Sequence, residues 1–151
     1  MKLAEALSMR ADLQKRVAQL KDRIKDSAKI QEGDEPCDNV EELYPQMDEA
    51  LNTLEDLIYR INLTNTQTVQ NGESLTQLMA KRDVLSMRVK AMTDIVNFVS
   101  STDTRFGRNE VKYIRTVDVN ALRKETDTYA KQYRELGLRI QSLNWMVDLV
   151  E

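Results

Sequence analysis

Two arginines stand where the apolar spacing of their segments calls for an aliphatic side chain. Arg10 falls between Ala6 and Leu13, and Arg82 falls between Leu78 and Leu85. A buried guanidinium loses hydration and leaves five donors to satisfy, so arginine is almost never fully enclosed without a partner. In a bundle of four helices running up and down, the start of the first helix shares one end with three others. These are the end of the second, the start of the third and the end of the fourth. Arg10, Asn62, Arg82 and Asn144 then lie within about two turns of one another, and Asn65 follows Asn62 closely enough to join them. Such a polar layer has two uses. It fixes register or subunit pairing, as single polar residues do in coiled coils, or it holds a small anion through bidentate guanidinium donors.

The rest of the chain offers little reactive chemistry. Among 151 residues there is no histidine, which removes the commonest general base and metal ligand together. No Ser, Thr or Cys nucleophile has a neighbouring base, and no glycine-rich phosphate loop occurs. The acidic stretch of residues 32–59 lacks the alternating oxygen ligands and terminal Glu of an EF-hand loop. We therefore expect no catalytic residue, no metal and no cofactor. Arg105, Arg108, Lys112 and Arg115 surround Phe106 and Tyr113, a mixture able to hold phosphates. The net charge of −3 and pI near 5.2 weigh against nucleic acid as the partner.

The composition states which elements must carry these residues. Charged residues make up 31%, while Gly numbers 4 and Pro 2, so long helices with solvated faces are expected. Only eight residues are aromatic (Phe 2, Tyr 5, Trp 1), so the core is aliphatic, and Trp145 and the methionines read as core filling. Apolar residues recur every three or four positions in four segments. The expected helices span about 2–30, 45–63, 74–100 and 119–150. Pro45 lacks a donor and clashes with the preceding turn, so the second helix is expected to begin there after a short turn at Val40–Tyr44. Asn71-Gly72 marks a turn, Ser74 with Gln77 resembles a capping box, and Asp118 is placed to cap the last helix. Residues 64–70 and 111–117 suit strands, and one β-hairpin arm between them is expected. The fold class is all-α: an elongated four-helix up-down bundle, or antiparallel coiled coil, with a small β-hairpin arm.

Residues 1–31 carry eight bases and four acids, whereas residues 32–59 carry ten acids and no base. In an antiparallel hairpin the first helix would set its positive face against the negative second. Lone Cys37 has no disulfide partner, and charges at Lys2, Glu5, Arg10 and Asp12 break any apolar run of signal-peptide length. No segment approaches the ~20 apolar residues of a membrane span. The expectation is a cytoplasmic homo-oligomer, with membrane contact disfavoured and a small anion as an alternative ligand.

Several stretches, in order, resemble a known family. These include Lys2–Arg16 (KLAEALSMRADLQKR), Gln31–Pro36 (QEGDEP), Ile61–Thr66 (INLTNT) and Leu75–Arg88 (LTQLMAKRDVLSMR). They continue with Thr116–Leu136 (TVDVNALRKETDTYAKQYREL) and Ile140–Trp145 (IQSLNW). Together they are similar to the septicolysin-like family of small bacterial proteins, with Cys37 and Pro45 as departures. The resemblance implies a helical, oligomeric bacterial protein, and the family name adds pore-forming cytolysis as an activity. Arg10, Asn62, Asn65, Arg82 and Asn144 all lie inside matching stretches.

Overall fold

The computed structural model of the chain describes residues 1–101 and 111–151. Arg105, Phe106 and Arg108 of the expected basic–aromatic segment therefore lie outside the described residues. The elements are α1 (Leu3–Ala28), α2 (Val40–Gln67), β1 (Val69–Gln70), β2 (Glu73–Ser74), α3 (Leu75–Ser100) and α4 (Val119–Met146). They form two compact units, one of Met1–Leu75 with Gln141–Glu151 and one of Thr76–Ile140.

In the first unit α1 and α2 make an antiparallel hairpin. Leu20 and Ile24, late in α1, pack with Leu43, early in α2, and Val40 and Met47 close around them. The heptad spacing carries that register along the hairpin, setting Val17 level with Ala50 and Arg10 level with Leu57. Near the other end Leu3, Ala6, Leu57 and Ile61 are buried.

The connection between the helices is tied back to α1. Gly33 takes φ +93° in the turn closed by the Asp34 N–H on the Gln31 carbonyl at 3.1 Å. Asp38 receives both Nε and Nη2 of Arg23, at 3.0 and 2.5 Å, and its N–H donates to the Ser27 hydroxyl at 3.1 Å. The Arg23 hydrogen bond, aided by the guanidinium charge, holds the Asp38 carboxyl below its ordinary range.

Three expectations about this unit are corrected. Helix α2 begins at Val40, not Pro45: Asn39 Oδ1 accepts the Glu41 N–H at 3.1 Å, and Glu41 and Glu42 suit the first turn. Pro45 sits inside the helix, where its missing N–H deprives only the Glu41 carbonyl of a partner, on an exposed turn. The hairpin is local, pairing Val69 with Ser74 and Gln70 with Glu73; residues 64–67 stay in α2 and residues 111–117 form no strand. Asn71 and Gly72 both have positive φ, +55° and +81°, the primed turn whose twist matches antiparallel strands. Finally, α4 ends at Met146 and not near residue 150. The tail turns extended and forms an antiparallel bridge, Lys2 with Asp148, carried by Leu3 N–H to the Val147 carbonyl and Leu149 N–H to the Met1 carbonyl, both 2.9 Å.

In the second unit the end of α3 meets the start of α4. Arg123 Nη2 donates to the Ser100 hydroxyl at 3.1 Å, and Arg115 Nη2 to the Ser100 carbonyl at 3.3 Å. Further along, the Arg88 guanidinium lies 4.8 Å from the Tyr129 ring centroid and donates to its hydroxyl at 3.0 Å. Asp118 caps α4 as expected, accepting the Ala121 N–H at 3.1 Å. Val89, Met92, Val96 and Leu122 are only half-buried.

Candidate functional site

The five residues of the expected polar layer differ in burial and in partners. Asn65 is buried near the end of α2, Asn62 is exposed, and Asn144 is half-buried in the last turn of α4. Arg82 belongs to the second unit, where it pairs with its neighbour Asp83 at 2.8 Å. Arg10 is half-buried in the first unit, and none of the described residues gives its guanidinium an ion pair or hydrogen bond.

The polar assembly that does form at this end uses residues the periodicity did not single out. Thr64 is 1% exposed; its hydroxyl donates to the Arg60 carbonyl at 2.7 Å and accepts the Val150 N–H at 3.0 Å. One turn earlier, Arg60 Nε donates to the Val150 carbonyl at 2.8 Å. Two side chains of α2 thus satisfy both backbone groups of one tail residue. Lys2 completes the clasp from the other side: its ammonium reaches the Met146 carbonyl at 3.0 Å and the Asp148 carboxylate at 2.9 Å. A cation there suits the free carbonyls of the α4 C-terminus. The Lys2 hydrogen bond holds the Asp148 carboxyl below its ordinary range. The sequence does carry a signal for this clasp. Leu43, Ala50, Leu57 and Thr64 are seven apart, so Thr64 is a polar residue in an interior column and needs a partner.

Open depressions are present among the described residues. One, of about 460 Å³, runs along α1 past Lys15, Arg16, Gln19 and Arg23 to Gln46. Another, of about 400 Å³, lies at the start of α4, where Ser100 engages both Arg115 and Arg123 and Asp118 takes up a helix amide. Cys37 is exposed in the α1–α2 connection. Among the described residues no group of three or more Cys, Asp or Glu is arranged to hold a metal ion.

The prominent surface feature is apolar. On α2, Tyr44, Leu51 and Ile58 recur at seven-residue steps, Tyr44 49% and Leu51 41% exposed and Ile58 half-buried. On α3, Val84, Met87, Ile95 and Phe98 keep a helical spacing and are 57%, 70%, 51% and 81% exposed. Single exposed hydrophobics are ordinary, whereas columns at heptad spacing are the seam of a helix that packs against another.

The expected charge match inside the α1–α2 hairpin is largely absent. Among the described residues, Arg23 is the one base of α1 paired with an acid of the 32–59 segment; Lys21 pairs with Asp22, 3.9 Å away in its own helix. The reason is geometric. Glu41, Asp48 and Glu55 form one seven-residue column and Glu42, Glu49 and Asp56 another, both on the outer side of α2.

A solved structure has the same architecture: a crystal structure of a functionally unknown conserved protein from Corynebacterium diphtheriae. It is 38% identical, with 99% of each chain covered and a TM-score of 0.90. No curated protein matches the chain. Residues 10–149 match the model of a family of unknown function, DUF6847. That match runs from Arg10 within α1 to Leu149 in the tail, and the chain belongs to the DUF6847 family.

Proposed function

We propose that the protein is a non-catalytic, cytoplasmic interaction module that works by self-association, its hairpins completing a helical bundle between subunits. The observation that carries this reading is the pair of apolar columns left wholly or partly open, Tyr44, Leu51 and Ile58 on α2 and Val84, Met87, Ile95 and Phe98 on α3. A two-helix hairpin has one buried seam. Further columns at the same spacing favour further helices as their cover. Sedimentation equilibrium over about 1–100 µM tests the reading, since association follows mass action. A mass that climbs to a multiple of 17.5 kDa is the expected result. A constant 17.5 kDa throughout refutes it.

A second reading, membrane contact of the cytolysin type, has its own observation. Val111, Tyr113 and Ile114 are 84%, 82% and 77% exposed beside Lys112 and Arg115, and Arg115 ties this segment to Ser100 at the end of α3. No helix among the described residues is long and apolar enough to cross a membrane, so this contact would be interfacial. Dye release from anionic liposomes that is lost in Tyr113→Ser/Ile114→Ser supports it. Intact liposomes at micromolar protein remove it.

A further inference from the structure

One face of the α1–α2 hairpin has an uneven charge. Its α2 half carries Tyr44, Leu51 and Ile58 edged by Glu41, Asp48 and Glu55, with no base. Its α1 half carries Leu7 and Val17, floored by Ala11 and Ala18, and its charges are the bases Arg10, Lys21 and Lys25 with the single acid Asp22, which pairs with Lys21, so that this half is net cationic. The face is thus apolar along its middle, anionic on one side and cationic on the other. At about 1.5 Å per residue and 10 Å per helix it measures about 40 by 20 Å. That is about 800 Å², the area each partner gives to a standard interface.

Resting on the self-association reading, we propose that this face binds the same face of a second copy, with α1 of each chain lying antiparallel on α2 of the other. Two twofold arrangements bring such faces together. An axis across the helices stacks α2 on α2, setting Glu41, Asp48 and Glu55 against themselves. An axis along the helices stacks α1 on α2, cationic half on anionic half. Like charges face to face are strongly unfavourable at an excluded interface, so the second arrangement wins.

The symmetry then dictates the register. A closed twofold along the helices has no translation, so a residue of α1 meets the α2 residues level with it in its own hairpin. Ile24 is level with Leu43, which brings Lys25 to Glu41 of the second copy. Arg10, level with Leu57, comes to Glu55 of the second copy. The guanidinium that finds no partner among the described residues of its own chain acquires one.

Charge reversal tests this contact. Lys25→Glu and Glu41→Lys, both at exposed positions, are each expected to weaken association about tenfold or more, which is about 1.4 kcal/mol or more. Their combination in one chain restores it, because the swapped pair is complementary again across the twofold. Arg10→Glu with Glu55→Arg provides an independent pair, and circular dichroism verifies that each variant is helical. Wild-type association that ignores the single reversals overturns this interface while leaving self-association in place. A wild-type chain that stays at 17.5 kDa overturns both.

Discussion

The Thr64 hydroxyl accepts the Val150 N–H at 3.0 Å, joining α2 to the tail across 86 positions of sequence. The same hydroxyl donates to the Arg60 carbonyl, so its one donor is used and its orientation fixed. This contact, with Arg60 on the Val150 carbonyl, explains why the chain leaves helix after Met146 although Val147 and Val150 continue its apolar spacing. The extended tail gains defined partners for its backbone and buries Leu149 to 6% exposure.

Thr64→Val keeps the side chain's shape and removes its hydrogen bonds. The Val150 N–H is then left without its acceptor in a poorly hydrated place, at a cost of about 1–3 kcal/mol. Urea unfolding is expected to show this loss. An unchanged midpoint would mean that the tail does not contribute to the stability of the unit.

Acid sensitivity follows from the same clasp. Lys2, chiefly through its hydrogen bond, holds the Asp148 carboxyl below the ordinary 3.8, so near that pH the unfolded chain binds the extra proton. The contribution is therefore complete above the ordinary value and disappears as pH falls through the lowered one. Asp38 behaves likewise beside Arg23. Asp148→Asn is expected to lower stability at neutral pH and to converge with the wild type in acid, which flattens the acid limb of a stability–pH profile. An acid limb of unaltered slope contradicts the assignment.

Gly72 has φ +81° and open space around the position of a Cβ, so a substitution there acts through the backbone alone. Gly72→Ala is expected to cost about 1–2 kcal/mol, the strain of a left-handed residue. The loss should appear in thermal unfolding with the helical content of the folded state preserved. A neutral substitution would show that the turn relaxes.

Arg10 separates the stability of one chain from assembly. Its half-buried charge has no partner among the described residues, so Arg10→Leu is expected to raise the melting temperature of dilute protein by about 2–4 °C. The same substitution weakens association. A fall in melting temperature, with association intact, would place the role of Arg10 inside its own chain.

Much of this architecture is legible in local chemistry. Leu20, Ile24 and Leu43 announce themselves by spacing, and Asp118 and Asn71-Gly72 by cap and turn preferences, because these depend on near neighbours. Pro45 misled because the Asn39 cap and two first-turn acids outweigh one missing hydrogen bond. The tail misled because its partners, Lys2, Arg60 and Thr64, are remote in sequence. For the polar layer, periodicity placed Arg10 and Arg82 on inward-facing columns. It carried no information that Arg82 pairs with Asp83 or that the two arginines belong to different units.

The most direct test of the central claim places one charge in the middle of the α2 column. Leu51 is 41% exposed, so Leu51→Glu leaves the hairpin's own seam intact and introduces a carboxylate where a second copy would exclude water. Light scattering of wild-type and variant protein at the same concentration reads the result. The variant is expected to have half the mass of the wild-type assembly. Equal masses for the two proteins would contradict it.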